Sequence, residues 1–468
     1  MSYRRSWLLM GLLFALFTGL HPAPGESQGL NPTEEAMVRY LAQSEEEAIA
    51  LLERVVNINS GTMNHAGVRE VGRIFREELD ALGFQTRWVE FPAETNRAGQ
   101  LFAQRVGNGL GPKILMIGHL DTVFEETSPF QRFERSGDRA SGPGVSDMKS
   151  GDVVILYTLK ALEQAGVLDD LSIVVALTGE EESPGTPLSV SRKDLVEAGQ
   201  WSDLALGFEG GVRQGGVEYA TVARRSSSDW TLRVRGEMGH SSRIFSEQYG
   251  AGAIFEAARI VNAFYEEVRG EEYLTFNAGT FLGGTDVMYD EEQTRGSAFG
   301  KTNVIPQEVV VHGGIRTISN EQLERTRQHM RAIVAKSRPQ TSATISFTDG
   351  YPPMAPTQEN YALLENLSQV SQDLGFGPME ALDPGQRGAA DISFVAPFTP
   401  GLAGMGPYGD GAHSPQETLD LTSLTVAARR AAVLMYRLTQ EKEMDLGNPL
   451  GDPKPLTPEA SADGGGGL

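Results

Sequence analysis

Residues 113–123 read Lys113-Ile114-Leu115-Met116-Ile117-Gly118-His119-Leu120-Asp121-Thr122-Val123. The run Lys113 to Ile117 is short and apolar, with none of the alternation of a strand that shows one face to water. Such a segment belongs in a sheet covered on both sides, and the residues just after it fall at the strand's C-terminal end. Open α/β sheets gather their ligands at that end, so the position of His119 and Asp121 sets the question for the rest of the chain. Upstream, Ser44 and Glu47 form a capping-box pattern ahead of a helix carrying Ala48, Leu51, Leu52 and Val55. A second helix is predicted from about Val68 to Leu82, stopping at Gly83. Downstream come a helix over Asp152 to Gln164 and a buried strand over Leu171 to Leu177. The alternation predicts an α/β domain built on a mixed or parallel sheet.

Near residue 219 the pattern changes to β-α-β-β-α-β. Thr221 to Gly236 reads as a strand, Tyr249 to Val268 as a helix, and Leu274 to Leu282 and Asn303 to Ile315 as strands. A helix over Glu321 to Lys336 and a strand over Ser342 to Phe347 complete it. This is a split-βαβ, ferredoxin-like α+β unit, expected as an inserted domain over 219–350. The α/β domain then comprises 26–218 and 351–441. Pro449, Pro453, Pro455, Pro458 and the run Gly464 to Gly467 predict a disordered tail over 442–468.

At 468 residues the chain is too long for one ordinary core. Its 40 Lys and Arg against 62 Asp and Glu give a net charge of -22, which disfavours nucleic acid and anionic membrane surfaces as partners. With no cysteine, disulfides, thiolate metal sites and a cysteine nucleophile are excluded, and any metal must be held by His, Asp and Glu. Arg4 and Arg5 precede an apolar run from Trp7 to Leu20 and the breaker-rich stretch His21 to Gly25. The expectation is a signal peptide over 1–25 and a periplasmic or secreted protein, with an uncleaved anchor as the alternative.

Four further motifs accompany His119. Gly142-Pro143-Gly144-Val145-Ser146-Asp147 is a tight glycine-rich turn opening a helix. Glu180-Glu181-Glu182 follows the strand ending at Leu177, and Glu209 follows another short strand. His413 stands in the glycine-rich segment Gly406 to Ser414. Each has an ordinary reading too: a core histidine, a helix-capping aspartate, a solvated acidic loop. Together they place two imidazoles and several carboxylates at strand ends and in glycine-rich loops, the donor set of a two-metal hydrolytic site.

In the order and spacing of these motifs, from about residue 44 to 440, the chain resembles the zinc exopeptidase family of glutamate carboxypeptidase, aminoacylase and succinyl-diaminopimelate desuccinylase. The resemblance implies a catalytic domain interrupted by a lid domain that serves dimerisation, and a homodimer built through it. It also implies two zinc ions per chain, with cobalt or manganese able to substitute. His119 and Glu209 would bind one zinc, Glu182 and His413 the other, and Asp147 both. Asp121 would orient His119, and Glu181 would be the general base; the triple Glu also admits Glu180 and Glu181 as base and ligand. On the lid, His240 in Gly236-Glu237-Met238-Gly239-His240-Ser241 would steady the oxyanion, and Asn303 and Arg316 would grip the substrate carboxylate. Gly314 stands where the family more often has Asp, which leaves the bonding around Arg316 open. The implied activity is cleavage of an amide beside a free carboxylate in a small peptide or N-acyl amino acid. An aminoacylase-type amidohydrolase and a non-catalytic ligand-binding homologue are the alternatives.

Overall fold

The computed structural model describes residues 29–440 apart from Leu110 and Glu292. The expected signal peptide over 1–25 and the tail over 442–468 lie outside the described residues.

The main sheet has six strands. Lys113–His119 runs parallel between Ser172–Thr178 and Leu204–Gly207, and Gly401–Leu402 extends the parallel part beside Leu204–Gly207. Gln100–Arg105 and Gln85–Val89 add an antiparallel edge, so the sheet is mixed. The uniform apolarity of Lys113–His119 now has its cause. Ile114 and Met116 pack with Ile173 and Val175 against the helices Lys149–Gln164 and Thr422–Gln440, which share that core cluster. Leu115 and Ile117 face the opposite way, with Val174 and Ala176, onto Lys193–Trp201 and Ile392–Val395. Both faces are dry, so neither can alternate with polar residues.

Between Ser227 and Tyr351 a second, wholly antiparallel sheet forms. Glu308–Arg316 lies at its centre, with Ser227–Gly236 and then Thr341–Tyr351 on one side and Thr275–Phe276 and Thr280–Gly284 on the other. The helices Gly252–Ala263 and Asn320–Val334 cover one face, burying Trp230, Leu232, Val234, Val309 and Val311 against Ala257, Ile260 and Met330.

Three local expectations need correction. Ser44 makes no side-chain cap. It closes the helix Pro32–Gln43 with φ -97° and ψ 8°, and no extended Ncap residue precedes Glu45–Val56. The capping box lies earlier, where Asn31 and Glu34 satisfy each other's backbone N–H. The strand expected over Leu274 to Leu282 is two short pieces, because Asn277 bulges onto Gly313, where a Cβ would lie 1.8 Å from the Asn277 carbonyl oxygen. The strand expected from Asn303 begins only at Glu308, and a hairpin of Asp286–Asp290 with Arg295–Phe299 precedes it. That hairpin is largely exposed and carries no apolar periodicity to betray it.

Candidate metal centre

The parallel strands deliver their loops to one edge. His119 ends its strand opposite Thr178, Glu180 to Glu182 follow Thr178, and Glu209 stands two residues beyond the strand ending at Gly207. Asp147 precedes the helix Lys149–Gln164, which packs under the same edge. His413 arrives from a distant loop at φ 62°, the left-handed region that non-glycine residues seldom occupy.

These side chains converge on Asp147. His119 Nε2 lies 3.4 Å from Asp147 Oδ1, and His413 Nε2 lies 3.2 Å from Oδ2 and 3.0 Å from Glu182 Oε2. One carboxylate thus spans two imidazoles. His119 Nδ1 stands 3.1 Å from the backbone carbonyl oxygen of Asp121 and 3.5 Å from its Oδ1. An oxygen that can only accept fixes the proton on Nδ1 and turns Nε2 toward Asp147.

The electrostatics suit a cation. Burial works against the Asp147 charge, yet hydrogen bonds from His119 and His413 win and hold the carboxyl well below its usual range. The Asp147 and Glu182 carboxylates push His413 up to about 10. Burial pushes both Glu181 and Glu182 up, with His119 pulling Glu181 back and His413 pulling Glu182 back. Ligand atoms of His119, Asp147 and Glu182 all lie within 4.8 Å of one another. Glu182 Oε1 is buried with no hydrogen-bond partner. Clustered carboxylates and imidazoles with an orphaned anionic oxygen are what a divalent cation would satisfy, so the residues present fit metal.

The three adjacent glutamates do different things. Glu180 is fully buried, paired with Arg192 and accepting the Gly185 N–H. Its carboxylate is therefore committed to the framework, while that of Glu182 meets His413. Asp121 braces the loop from the other side, accepting the Glu181 N–H at 3.0 Å on Oδ1 and the Glu182 N–H at 3.1 Å on Oδ2. The Thr62 hydroxyl donates to Asp121 Oδ2 at 2.6 Å.

Arg192 also donates to Asp391 Oδ1 at 2.8 Å, and Thr178 donates to Asp391 Oδ2 at 2.6 Å. Removing one partner from such a buried pair strands the other's charge, so Arg192→Met is expected to destabilise the fold by about 3–5 kcal/mol. Urea unfolding would measure it; a loss under about 1 kcal/mol would show that the pair contributes no more than an exposed one.

Glu209 is not in the group whose donor atoms lie within 4.8 Å of one another. Its carboxylate is ion-paired with Arg224, although it and His119 line the same small cavity. His240, Asn303 and Arg316 belong to the second sheet and its connections. His240 bridges Val304, and Ser241 N donates to Asn303 O at 2.9 Å, which sets His240 beside Asn303. Among the described residues, no hydrogen bond or ion pair joins these three to the His119–Asp147–Glu182–His413 group. Arg316 ends its strand and reaches the main unit, where a Cβ on Gly388 would lie 3.7 Å from Arg316 Nη1.

Sequence reasoning missed the supports. Glu417 is fully buried and accepts backbone N–H groups from Gly144 at 3.0 Å, Ser146 at 2.8 Å and Asp147 at 2.9 Å. It thereby shapes the turn that presents Asp147; its place four residues after His413 was the available signal. Arg387 donates to the Gly210 carbonyl and is pulled down to about 10 by burial, with Arg224 adding to the effect. Arg192, Arg224 and Arg387 carry no local pattern, since their partners are remote in sequence.

A clustered His/Asp/Glu site at the strand ends of a mixed α/β sheet is the donor set of a metal-dependent enzyme, and comparison with known proteins gives the family. Residues 115–437 match the model of peptidase family M20/M25/M40, and the chain belongs to that family. Among curated proteins it is 25% identical to carboxypeptidase G2 of Pseudomonas sp. (strain RS-16) over 416 residues, covering 86% of this chain and 92% of that one. It is also 25% identical to succinyl-diaminopimelate desuccinylase of Leptothrix cholodnii over 390 residues, covering 80% and 94%. Among solved structures, aminopeptidase PepT from Bacillus cereus superposes with a TM-score of 0.67 at 17% identity, over 84% of this chain and 98% of that one. A dinuclear metal binding peptidase of the M20 family from Bacillus subtilis does so with a TM-score of 0.60 at 17% identity, over 85% and 99%. The resemblance read from the motifs is thus borne out at the level of family, fold and enzyme class: the chain is a metal-dependent hydrolase of peptide or amide bonds. No helix among the described residues is long and apolar enough to cross a membrane.

Proposed function

We propose that the chain is a di-zinc exopeptidase that cleaves the amide beside a free carboxylate in small peptides or N-acyl amino acids. The observation that carries this is the single carboxylate of Asp147 set between His119 and His413, with Glu182 on the second imidazole. In this reading His119 and Glu209 would hold one metal, Glu182 and His413 the other, and Asp147 would serve both. Metal held there would supply Lewis-acid chemistry for the scissile carbonyl and a more acidic water. Asp121 fixes the tautomer and direction of His119. Glu181, whose carboxyl burial pushes up, takes a proton from water and hands it to the leaving nitrogen. Glu180 is left out of the chemistry because Arg192 holds its carboxylate.

The unit over 219–350 serves as lid and dimerisation domain. His240 stabilises the oxyanion, and Asn303 and Arg316 grip the substrate carboxylate once the lid closes. The exposed apolar side chains of Phe245, Phe255, Met288 and Phe299 support a homodimer through this unit. The chain is exported by its N-terminal segment and acts in the periplasm or outside the cell. The similarity to desuccinylases favours a second reading, an amidohydrolase that removes an acyl group from an amino acid.

One panel separates these readings. Purified protein is assayed for metal and for hydrolysis of dipeptides and N-acyl amino acids, each with its carboxylate free or amidated, before and after chelation. About two zinc per chain, with chelator-sensitive cleavage confined to free carboxylates, is the expected result. Cleavage of N-acyl amino acids alone would select the amidohydrolase. Absence of stoichiometric metal after reconstitution would refute the di-zinc site.

A further inference from the structure

Tyr351 is the last residue of the second sheet. It ends the strand Thr341–Tyr351, pairs with Ser227 where the chain enters that sheet, and precedes the return to the main unit. Its side chain turns away from the second sheet and into the main unit. The ring packs edge-on against Phe394 with centroids 4.9 Å apart, and the Arg192 guanidinium lies 5.5 Å from the ring centroid. The hydroxyl accepts from Arg192 Nη2 at 2.6 Å and donates to the backbone carbonyl of Glu181 at 3.1 Å.

Glu181 is therefore held at both of its backbone groups by different parts of the molecule. Asp121, beside His119, takes its N–H, and Tyr351, at the exit from the second sheet, holds its carbonyl. Arg192 joins the two ends, since it also grips Glu180 and Asp391. The space beside this junction is open. A cavity of about 790 Å³ separates Leu323 and Arg327 of the second unit from Val196 and Gln200 of the main one, with Arg192 and Gly350 in its walls. This open space lies between the two units, and its wall residue Gly350 immediately precedes Tyr351 in the strand Thr341–Tyr351.

We infer that Tyr351 is a positioning residue that ties the orientation of the second sheet to the placement of Glu181. When the second unit swings toward the metal site, Tyr351 carries the Glu181 carbonyl with it, and the carboxylate of that residue is aimed accordingly. The inference rests on the reading of Glu181 as the base. It gives the 351 hydroxyl a part in turnover and none in holding metal or substrate.

The test uses the metal-loaded full chain and the panel substrate turned over fastest. Tyr351→Phe keeps the ring and removes the hydroxyl. Loss of one hydrogen bond that aims the base is expected to lower kcat about tenfold, with KM within about twofold. Metal content should stay that of the parent chain, and the thermal melt should fall only modestly, by what the lost acceptor for Arg192 Nη2 costs. An unchanged kcat overturns the inference. So does a variant that is unfolded at the assay temperature or loses metal, because Tyr351 would then be a packing residue. Equal changes in KM and kcat/KM at constant kcat would assign it to binding and refute it likewise. Glu181→Gln in parallel separates the two claims: if that variant stays active, the base assignment has failed, and if it is inactive while Tyr351→Phe is normal, only the coupling has.

Discussion

Glu181→Gln should lower kcat by about three orders of magnitude and leave the metal content intact, the size expected when a positioned general base is removed. The two halves of that outcome come from separate features. Glu181 lies outside the group formed by His119, Asp147, Glu182 and His413, so its loss removes no contact within it. Its carboxyl is pushed up by burial, with Glu209, Asp391 and Glu182 adding repulsion and His119 opposing. A carboxylate that burial pushes up gains a proton more readily than an ordinary one, which suits a group that takes a proton from water and passes it to a leaving nitrogen. Glutamine keeps the shape and cannot carry the proton. Steady-state kinetics together with metal analysis decide it. Activity within tenfold of the parent would remove Glu181 from the chemistry, and a parallel loss of metal would make it a ligand.

Asp147→Asn should act on the metal itself. Among the described residues, Asp147 is the one carboxylate ion-paired with both imidazoles, so one substitution is expected to weaken both halves of the site. Outer partners of metal ligands typically change affinity by roughly 10–100-fold, and loss of a shared ligand should exceed that. Calorimetric titration of the metal-free protein with zinc would measure it. A second readout needs no metal. Hydrogen bonding to Asp147 is the largest cause that raises His413 to about 10, so in the metal-free variant the His413 titration should move down toward the ordinary imidazole range. The metal-free parent keeps His413 charged through neutral pH, so zinc must displace its proton, and loading should weaken as pH falls. Unaltered zinc affinity in the asparagine variant would mean that Asp147 does not bridge.

The α/β framework was legible because its signals are local. A run such as Ile114 to Ile117 announces burial on both faces without reference to any other residue, and the glycine-rich turn before Asp147 announces itself as well. The motifs holding His119, Asp147, the Glu180–Glu182 run and His413 stood out by the same signals, since strand ends and glycine loops are where a parallel sheet exposes side chains, while the choice of ligands among them came from the resemblance. What stayed hidden depends on partners far along the chain. Glu417 reads as an ordinary surface acid until it is found capping three N–H groups of a turn some 270 residues away. Nothing near Arg192 says that it will be enclosed between Glu180 and Asp391. A run of three identical residues left Glu180 and Glu181 open as base and ligand beside the preferred Glu181 and Glu182, because the side chain that sets Glu180 apart is the remote Arg192. Glu209 was placed by the resemblance as a ligand, and its pairing with Arg224 has no trace in the local sequence.

The second sheet leaves and rejoins the main unit through adjacent, paired strands, with Ser227 opposite Tyr351. To the host chain this long excursion resembles a hairpin turn, since its two ends stay within one strand spacing whatever happens between them. Holding those ends together closes the loop locally, so the host's remaining contacts carry little of the entropy of so long a detour. Either unit can then melt while the other keeps its own buried core. Heating such a chain would give two transitions rather than one, and a single melting temperature would describe neither.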